Sequence, residues 1–247
     1  MRIHRTYDLQ PFDTPIELDY TALPLPGTYK LTMLLALKTL VFGLSLLPLA
    51  YYGWGAWHDT LGANPIEAVT RGLGTWALNF LLITLAMTPL RKLFGWHAAL
   101  RLRRMLGLFA FFYALLHLVS YLWFDQFFAW SEIARDILER PFITIGMAAF
   151  VLLLPLAATS NHWAIRRLGG RRWQALHRSV YAIAIFAVLH YGWLVKADLS
   201  QPLLYAAILF VLLGLRAWWR EVERREQLAG KYRGQSGKRI IPIMPQR

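Results

Sequence analysis

The chain has 247 residues, of which 57% are hydrophobic and 17% charged, and its formal net charge at pH 7 is +13. A soluble domain of this length would carry more charge and fewer apolar residues. The basic residues stand beside apolar segments, which favours a membrane protein over one that binds nucleic acid. Cysteine is absent, which excludes disulfides, thiolate zinc sites and iron–sulfur clusters.

Six apolar segments follow one another along the chain, and each approaches the roughly 20 residues that a helix needs to cross the hydrocarbon core. They comprise residues 34–52, 73–90, 105–124, 141–159, 174–195 and 203–219. The sequence therefore predicts an all-α integral membrane protein with a six-helix transmembrane domain over 34–220. We expect 1–33 to be an N-terminal extension and 221–247 a basic tail, both mobile. The few charges inside the segments, Lys38, Arg178 and Arg216, lie near segment ends, from which each side chain can reach the interface.

The connecting loops differ in basic charge, and this difference predicts the orientation. Loop 91–104 has five Lys or Arg residues and no acid, loop 160–173 has four arginines and no acid, and the tail is also basic. The remaining loops, 53–72, 125–140 and 196–202, are poor in Lys and Arg. By the positive-inside rule the basic loops are cytoplasmic, so that both termini are expected on the cytoplasmic side.

Three histidines fall within the apolar segments, where an ionisable group is costly and therefore a functional candidate. His117 belongs to the third segment, and His177 and His190 belong to the fifth. In the predicted orientation these two segments are parallel, which places His117 and His190 in the outer half and His177 about 20 Å further in. Imidazoles from facing helices are axial ligands of haem iron. We therefore predict an outer haem on His117 and His190 and an inner haem on His177.

The second ligand of the inner iron stays open at this point. The third-segment residue level with His177 is Arg103 or Arg104, and Arg103 shares a helix face with His117 more closely because 14 residues make about four turns. An arginine there is suited to pair with haem propionates. The inner iron has either one protein ligand or takes His97 from the loop. The alternative for all three histidines is hydrogen bonding between helices.

Several stretches together resemble the MsrQ (YedZ) family of haem-binding membrane subunits, which is itself similar to the ferric-reductase-like transmembrane domain of NADPH oxidases. These stretches are LGANPIEAVTRGLG, TPLR, RLRRMLGLFAFFYALLH, RPFITIG, RRLGGRRWQALHRSVY, VLHYGWLVKAD and PLLYA. The resemblance implies a haem-binding bundle with haem b and FMN as cofactors. It matches His117, His177 and His190 to the haem-linked histidines of the family, and Arg103 to its arginine near the inner haem.

The resemblance also implies a function in the bacterial inner membrane. Members pass electrons from the quinone pool or a cytoplasmic flavin reductase to MsrP, a periplasmic molybdopterin enzyme that reduces methionine sulfoxide in oxidised proteins. The chain would then be an electron-transfer subunit, and its partner would dock on the acidic outer loop 125–140. One alternative is a ferric or cupric reductase, although such enzymes usually carry a cytoplasmic FAD/NADPH domain. A transporter is the other alternative, but no carboxylate accompanies the histidines within the segments.

Overall fold

The computed structural model describes residues 26–195 and 197–236, so that 1–25, most of the predicted N-terminal extension, and 237–247 lie outside the described residues. The described residues are helical and contain no strand, which confirms the all-α prediction for them. The helices are α1 (Pro26–Trp57), α2 (Pro65–Phe94), α3 (Ala98–Ser120) with a π-helical turn at Tyr121–Asp125, α4 (Trp130–Glu139), α5 (Pro141–Ala158), α6 (His162–Leu168), α7 (Gly170–His177), α8 (Val180–Leu194) and α9 (Ser200–Ser236).

Five of the described helices are long and apolar enough to cross a membrane. They comprise Leu31–Trp57, Pro65–Phe94, Ala98–Asp125, Pro141–Ala158 and Ser200–Ala229. The predicted fifth segment, 174–195, differs because it is divided between α7 and α8. The 15 residues of α8 extend about 22 Å, which is less than the roughly 30 Å of a hydrocarbon core. At the other end of the domain, α9 continues beyond the predicted segment end, so the first part of the basic tail is helical.

The chain forms two units, Met1–Val41 and Phe42–Arg247. Of the first unit the structure describes only the beginning of α1. The second unit contains the bundle, in which α2 packs against α3 and α5 packs against α8. Both pairs are antiparallel: Phe142 at the start of α5 meets His190 near the end of α8, while Thr159, just after α5, meets His177 at the end of α7, shortly before α8 begins.

Local sequence signals set the ends of α2. Asn64 accepts a hydrogen bond from the backbone N–H of Glu67 at 3.1 Å, and Pro65 occupies the first helical position, which together give a favourable helix start. Gly95 ends the helix in a left-handed conformation with φ of 67°, which glycine adopts without a steric penalty. The boundaries of α2 place Thr70 and Gly74 one turn apart near its start.

Tyr113 of α3 is fully buried and contacts the part of α1 that belongs to the second unit. Its hydroxyl donates to the carbonyl of Ser45 at 2.7 Å and accepts from the N–H of Leu49 at 3.2 Å. In a regular helix these two backbone groups would bond to each other, four residues apart. The hydroxyl therefore stands between them just beside Pro48, which lacks an N–H, and it satisfies both groups in the apolar interior.

Candidate functional site

His117 and His190 face each other between the two helix pairs. Their ring centres are 6.1 Å apart, and the ring planes are inclined by 70°. His117 comes from α3 and His190 from α8, so each helix pair contributes one imidazole. The structure thus brings together two of the three histidines that the sequence singled out, although they are 73 residues apart in the chain.

Each of these imidazoles is held by a backbone carbonyl of the neighbouring helix. The Nδ1 of His117 donates to the carbonyl of Thr70 at 2.8 Å, and the Nδ1 of His190 donates to the carbonyl of Phe142 at 2.6 Å. A carbonyl can only accept, so Nδ1 carries the proton in both rings and a neutral ring leaves Nε2 as a free electron pair. This is the arrangement by which proteins orient histidines that bind a metal.

A glycine lies beneath each of the two rings. A Cβ atom on Gly74 would lie 3.0 Å from Nδ1 of His117, and one on Gly146 would lie 2.7 Å from Nδ1 of His190. Any side chain at these positions would crowd an imidazole. Each glycine lies one helical turn after the residue whose carbonyl holds the ring. The helices α2 and α5 therefore share one arrangement, a carbonyl that accepts from the imidazole and a glycine four residues later that leaves room for it. Reasoning from the sequence missed both glycines.

The two rings line a cleft of about 580 Å³ between α2, α3, α5 and α8. Most of its walls are apolar, but Thr70 contributes a buried hydroxyl that has no hydrogen-bond partner among the described residues. Volumes of this size are typical of cofactor pockets. An unpaired buried hydroxyl is costly in an apolar environment, which indicates that the cleft is built around a ligand.

The donor set fits haem better than a bare metal ion. The described residues contain no group of three or more His, Asp or Glu side chains that could hold a metal, whereas zinc sites take three or four protein ligands. With metal–imidazole bonds of about 2.0 Å and ring radii of about 1.2 Å, two imidazoles that bound one ion from opposite sides would have ring centres about 6.4 Å apart, whereas a tetrahedral site would bring them to about 5.2 Å. The observed 6.1 Å is closer to the first value, and haem, if bound, would complete the coordination of its own iron.

A polar network lies at one end of the cleft, where the π-helical turn leads into α4. The carboxylate of Asp136 accepts from the hydroxyl of Tyr121 at 3.1 Å and from the amide of Gln126 at 2.8 Å. It also pairs with Arg140 at 3.2 Å. Because Tyr121, Gln126 and Arg140 all line the cleft, Asp136 fixes the walls of its mouth.

His177 lies apart from the facing pair, at the end of α7. Its ring stacks on Trp173 with centres 4.0 Å apart, and its Nε2 lies 3.1 Å from the hydroxyl of Thr159. That hydroxyl donates to the carbonyl of Pro155 at 2.6 Å, so it accepts from Nε2 of His177. Arg103 is close enough to act electrostatically on His177. His97, the other candidate for the inner iron, is exposed at the start of α3.

Comparisons with known proteins agree on one family. A family model described as ferric reductase like transmembrane component matches residues 73–188. The chain is similar to the protein-methionine-sulfoxide reductase heme-binding subunit MsrQ of Azospira oryzae, at 62% identity over 190 residues that cover 76% of this chain and 80% of the relative. Proteins with the same description from Herminiimonas arsenicoxydans and Rhodospirillum rubrum are 50% and 59% identical, over 83% and 71% of this chain and 93% and 85% of their own lengths.

Proposed function

This chain belongs to the MsrQ family of membrane proteins, and from that premise we propose that it is a haem-binding subunit that carries electrons across the bacterial inner membrane to a periplasmic methionine sulfoxide reductase. The observation that supports this most is the facing pair of His117 and His190. Both residues line one cleft, and both rings are fixed through Nδ1, which leaves Nε2 of each neutral ring as a free electron pair. Bound there, haem b supplies a reversible one-electron iron couple.

The protein's own contribution is to hold two neutral imidazoles at a fixed separation. The carbonyls of Thr70 and Phe142 select the tautomer, and Gly74 and Gly146 let each ring lie against the adjacent helix. Because these groups belong to helices and not to loops, they orient each ring within its own helix pair. Most of the walls around the rings are apolar, with charged residues such as Arg71 and Arg140 elsewhere in the lining.

We also propose six membrane crossings with both termini in the cytoplasm, in which α8 makes the fifth. The contacts of Phe142 with His190 and of Thr159 with His177 lie at opposite ends of α5. The 17 residues between Phe142 and Thr159 correspond to about 25 Å along a helix. The α7–α8 segment therefore traverses nearly the same depth as α5, which is itself long enough to span, although α8 alone is short.

We also propose a second, inner haem. His177 would bind its iron, and Arg103 would lie near its propionates. The bond between His177 and Thr159 and the stacking on Trp173 would both have to rearrange for Nε2 to reach an iron. FMN is carried over from the family resemblance alone, and none of the described residues is assigned to it.

The proposed acceptor is the molybdopterin enzyme MsrP, and the proposed donor is the quinone pool or a cytoplasmic flavin reductase. The acceptor would approach α4 and the π-helical turn, because this region forms the mouth of the cleft beside Tyr121, Gln126 and Arg140. The donor would approach the opposite end, where Arg103 and the basic loops lie. Membrane lipid surrounds the bundle, whose apolar helices expose many large hydrophobic side chains.

Absorption spectra test the haem assignment. The purified protein, expressed with ample haem, is expected to show a Soret band that His117→Ala and His190→Ala each reduce by removing the outer haem. His58→Ala is the matched control, since His58 also bonds through Nδ1 to a carbonyl, that of Trp54 at 3.0 Å, but is exposed and outside the cleft. Absence of a Soret band from the wild type would overturn the proposal.

Rapid mixing tests the acceptor. Dithionite-reduced protein is expected to be reoxidised by MsrP faster than by MsrP that lacks its molybdenum cofactor. Ferric citrate serves as the competing acceptor, because a ferric reductase would prefer it. Equal rates with intact and cofactor-free MsrP would remove MsrP as the partner while leaving the haem site in place.

A further inference from the structure

Arg216 of α9 is buried, with 7% of its surface exposed, although it lies within a helix long enough to span the membrane. From the sequence, this side chain was able to reach the interface, but the structure buries it. The guanidinium instead turns into the bundle and donates to the carbonyl of Leu85 on α2. A charge in this position requires compensation, because removing it from water is costly.

The hydrogen bonds of Arg216 compensate its buried charge only in part. One terminal nitrogen reaches the Leu85 carbonyl, and the other donates to the hydroxyl of Tyr181 at 3.3 Å. The Nε group is buried and has no hydrogen-bond partner among the described residues. Buried N–H groups of a charged side chain are rarely left unpaired, so a donor remains available at this point.

Other basic groups converge on the same position. Arg220, one turn later on α9, also donates to the Tyr181 hydroxyl, at 3.0 Å, and Arg103 acts electrostatically on Arg216. Both arginines of α9 lie over the Tyr181 ring, with centre distances of 5.6 and 5.4 Å. The Tyr181 oxygen already accepts two hydrogen bonds, so its own O–H is free to donate.

The acids nearest in the chain are engaged elsewhere. Glu223 pairs with Lys92 at 2.6 Å, and Glu221 pairs with Arg224 and Arg225. No ion pair joins Arg216, Arg220 or Arg103 to a carboxylate within the described part of the chain. Three basic side chains therefore lie together without a carboxylate paired to any of them, although Glu223, which pairs with Lys92, acts electrostatically on Arg220.

We propose that Arg216, Arg220 and Tyr181 bind the oxyanion of a ligand that enters from the membrane. The shared chemistry is a phosphate or carboxylate group, supplied either by an anionic phospholipid or by the carboxylate of a ring cofactor. The site leads from the exposed Arg220 inwards to the buried Arg216, which suits an amphiphile whose charged group is drawn between helices. Charge-assisted hydrogen bonds from two guanidinium groups give such a group a specific position.

This site is distinct from the facing histidines, and only its ring-cofactor source rests on the proposed haem function. Tyr181 precedes His190 by nine residues on α8, which corresponds to about 13 Å, and Leu85 follows Thr70 by 15 residues on α2, or about 22 Å. The oxyanion site therefore lies towards the opposite end of the bundle from the cleft.

Native mass spectrometry of the full chain in detergent tests the phospholipid source, with phosphatidylglycerol as the probe and phosphatidylcholine as the uncharged comparison. Arg216→Gln and Arg220→Gln are each expected to weaken phosphatidylglycerol binding roughly tenfold or more, since each removes a charge-assisted hydrogen bond. Tyr181→Phe is expected to weaken it less. Arg224→Gln is the matched control, because it removes one charge from the same helix at an exposed position that already has a carboxylate partner.

The ring-cofactor source gives a different result. Phosphatidylglycerol binding would then be equal in all variants, and Arg216→Gln and Arg220→Gln would instead lower the haem-to-protein ratio or shift a midpoint potential, while Arg224→Gln would not. If Arg216→Gln does not fold, Arg220→Gln still distinguishes the two ligand sources, because Arg220 is exposed and its replacement leaves the buried core unchanged. The proposal is overturned if both measurements are the same for Arg220→Gln as for the wild type and the control.

Discussion

Replacing Gly146 by alanine adds a single methyl group beneath the His190 ring. That Cβ would lie 2.7 Å from Nδ1 of His190, which is about 0.7 Å short of the 3.4 Å at which ordinary van der Waals contact begins. The imidazole has to move, and its 2.6 Å bond to the carbonyl of Phe142 has to lengthen. We therefore expect the variant to lose the position of one of the two ligands.

Two effects add to the loss of stability expected for Gly146→Ala. Overpacking of a tight contact costs roughly 1–3 kcal/mol, and a weakened hydrogen bond costs about 1 kcal/mol, so Gly146→Ala is expected to destabilise the site by about 2–4 kcal/mol. At Gly74 the corresponding contact with His117 is 3.0 Å, which leaves a smaller shortfall of about 0.4 Å. We expect Gly74→Ala to have the same kind of effect but about half its size.

The measurement is the haem-to-protein ratio and Soret absorption of the purified variants, together with their thermal unfolding in detergent. Gly214→Ala on α9 is the matched control, because a Cβ there meets no atom within 4 Å. Alanine in an open helical position is expected to be neutral or to stabilise by up to about 1 kcal/mol. The reasoning is refuted if Gly146→Ala keeps the wild-type spectrum, or if Gly74→Ala is affected more strongly.

Two further predictions concern the mouth of the cleft, and both are measured by thermal unfolding in detergent. Asp136→Asn is expected to cost about 2–3 kcal/mol, because a mostly buried carboxylate with three partners loses its charge. Glu139→Gln, which breaks only an exposed pair, is expected to cost under about 0.5 kcal/mol, and equal effects would contradict this ranking. Phe127 has φ of 46° and is 78% exposed, so Phe127→Gly is expected to stabilise by about 1 kcal/mol through relief of backbone strain. Phe127→Ala retains a Cβ and should give no such gain; a fall in stability with glycine would show that the ring matters more than the backbone.

Hydropathy was sufficient to predict most of the helices but not the division of the fifth segment. Arg178 and Ser179 form the turn between α7 and α8, and neither is a glycine or proline that would signal a break. A window of about 20 residues averages over such a turn. The same averaging hid α4, whose ten residues are too few and too polar to register as a span, so the sequence predicted only a loop there.

The candidate site could be predicted in part, for a clear physical reason. An ionisable side chain within an apolar segment stands out in the sequence alone, and the parallel direction of two segments placed His117 and His190 at one depth. The partners of these rings could not be found in this way. Thr70 and Phe142 act through backbone carbonyls, which every residue has, and Gly74 and Gly146 act by lacking a side chain. Their importance depends on which turn of one helix meets which turn of the next.

The same dependence explains why the site is divided between two helix pairs. His117 is held by α2 and His190 by α5, so each ring is positioned within its own pair. The separation of the two rings, in contrast, depends on how the pairs pack against each other. A ligand that requires both imidazoles binds only when the pairs are docked, and by mass action it favours the docked state. The 6.1 Å between the rings therefore connects cofactor binding to assembly of the bundle, because any change that separates the pairs also separates the ligands.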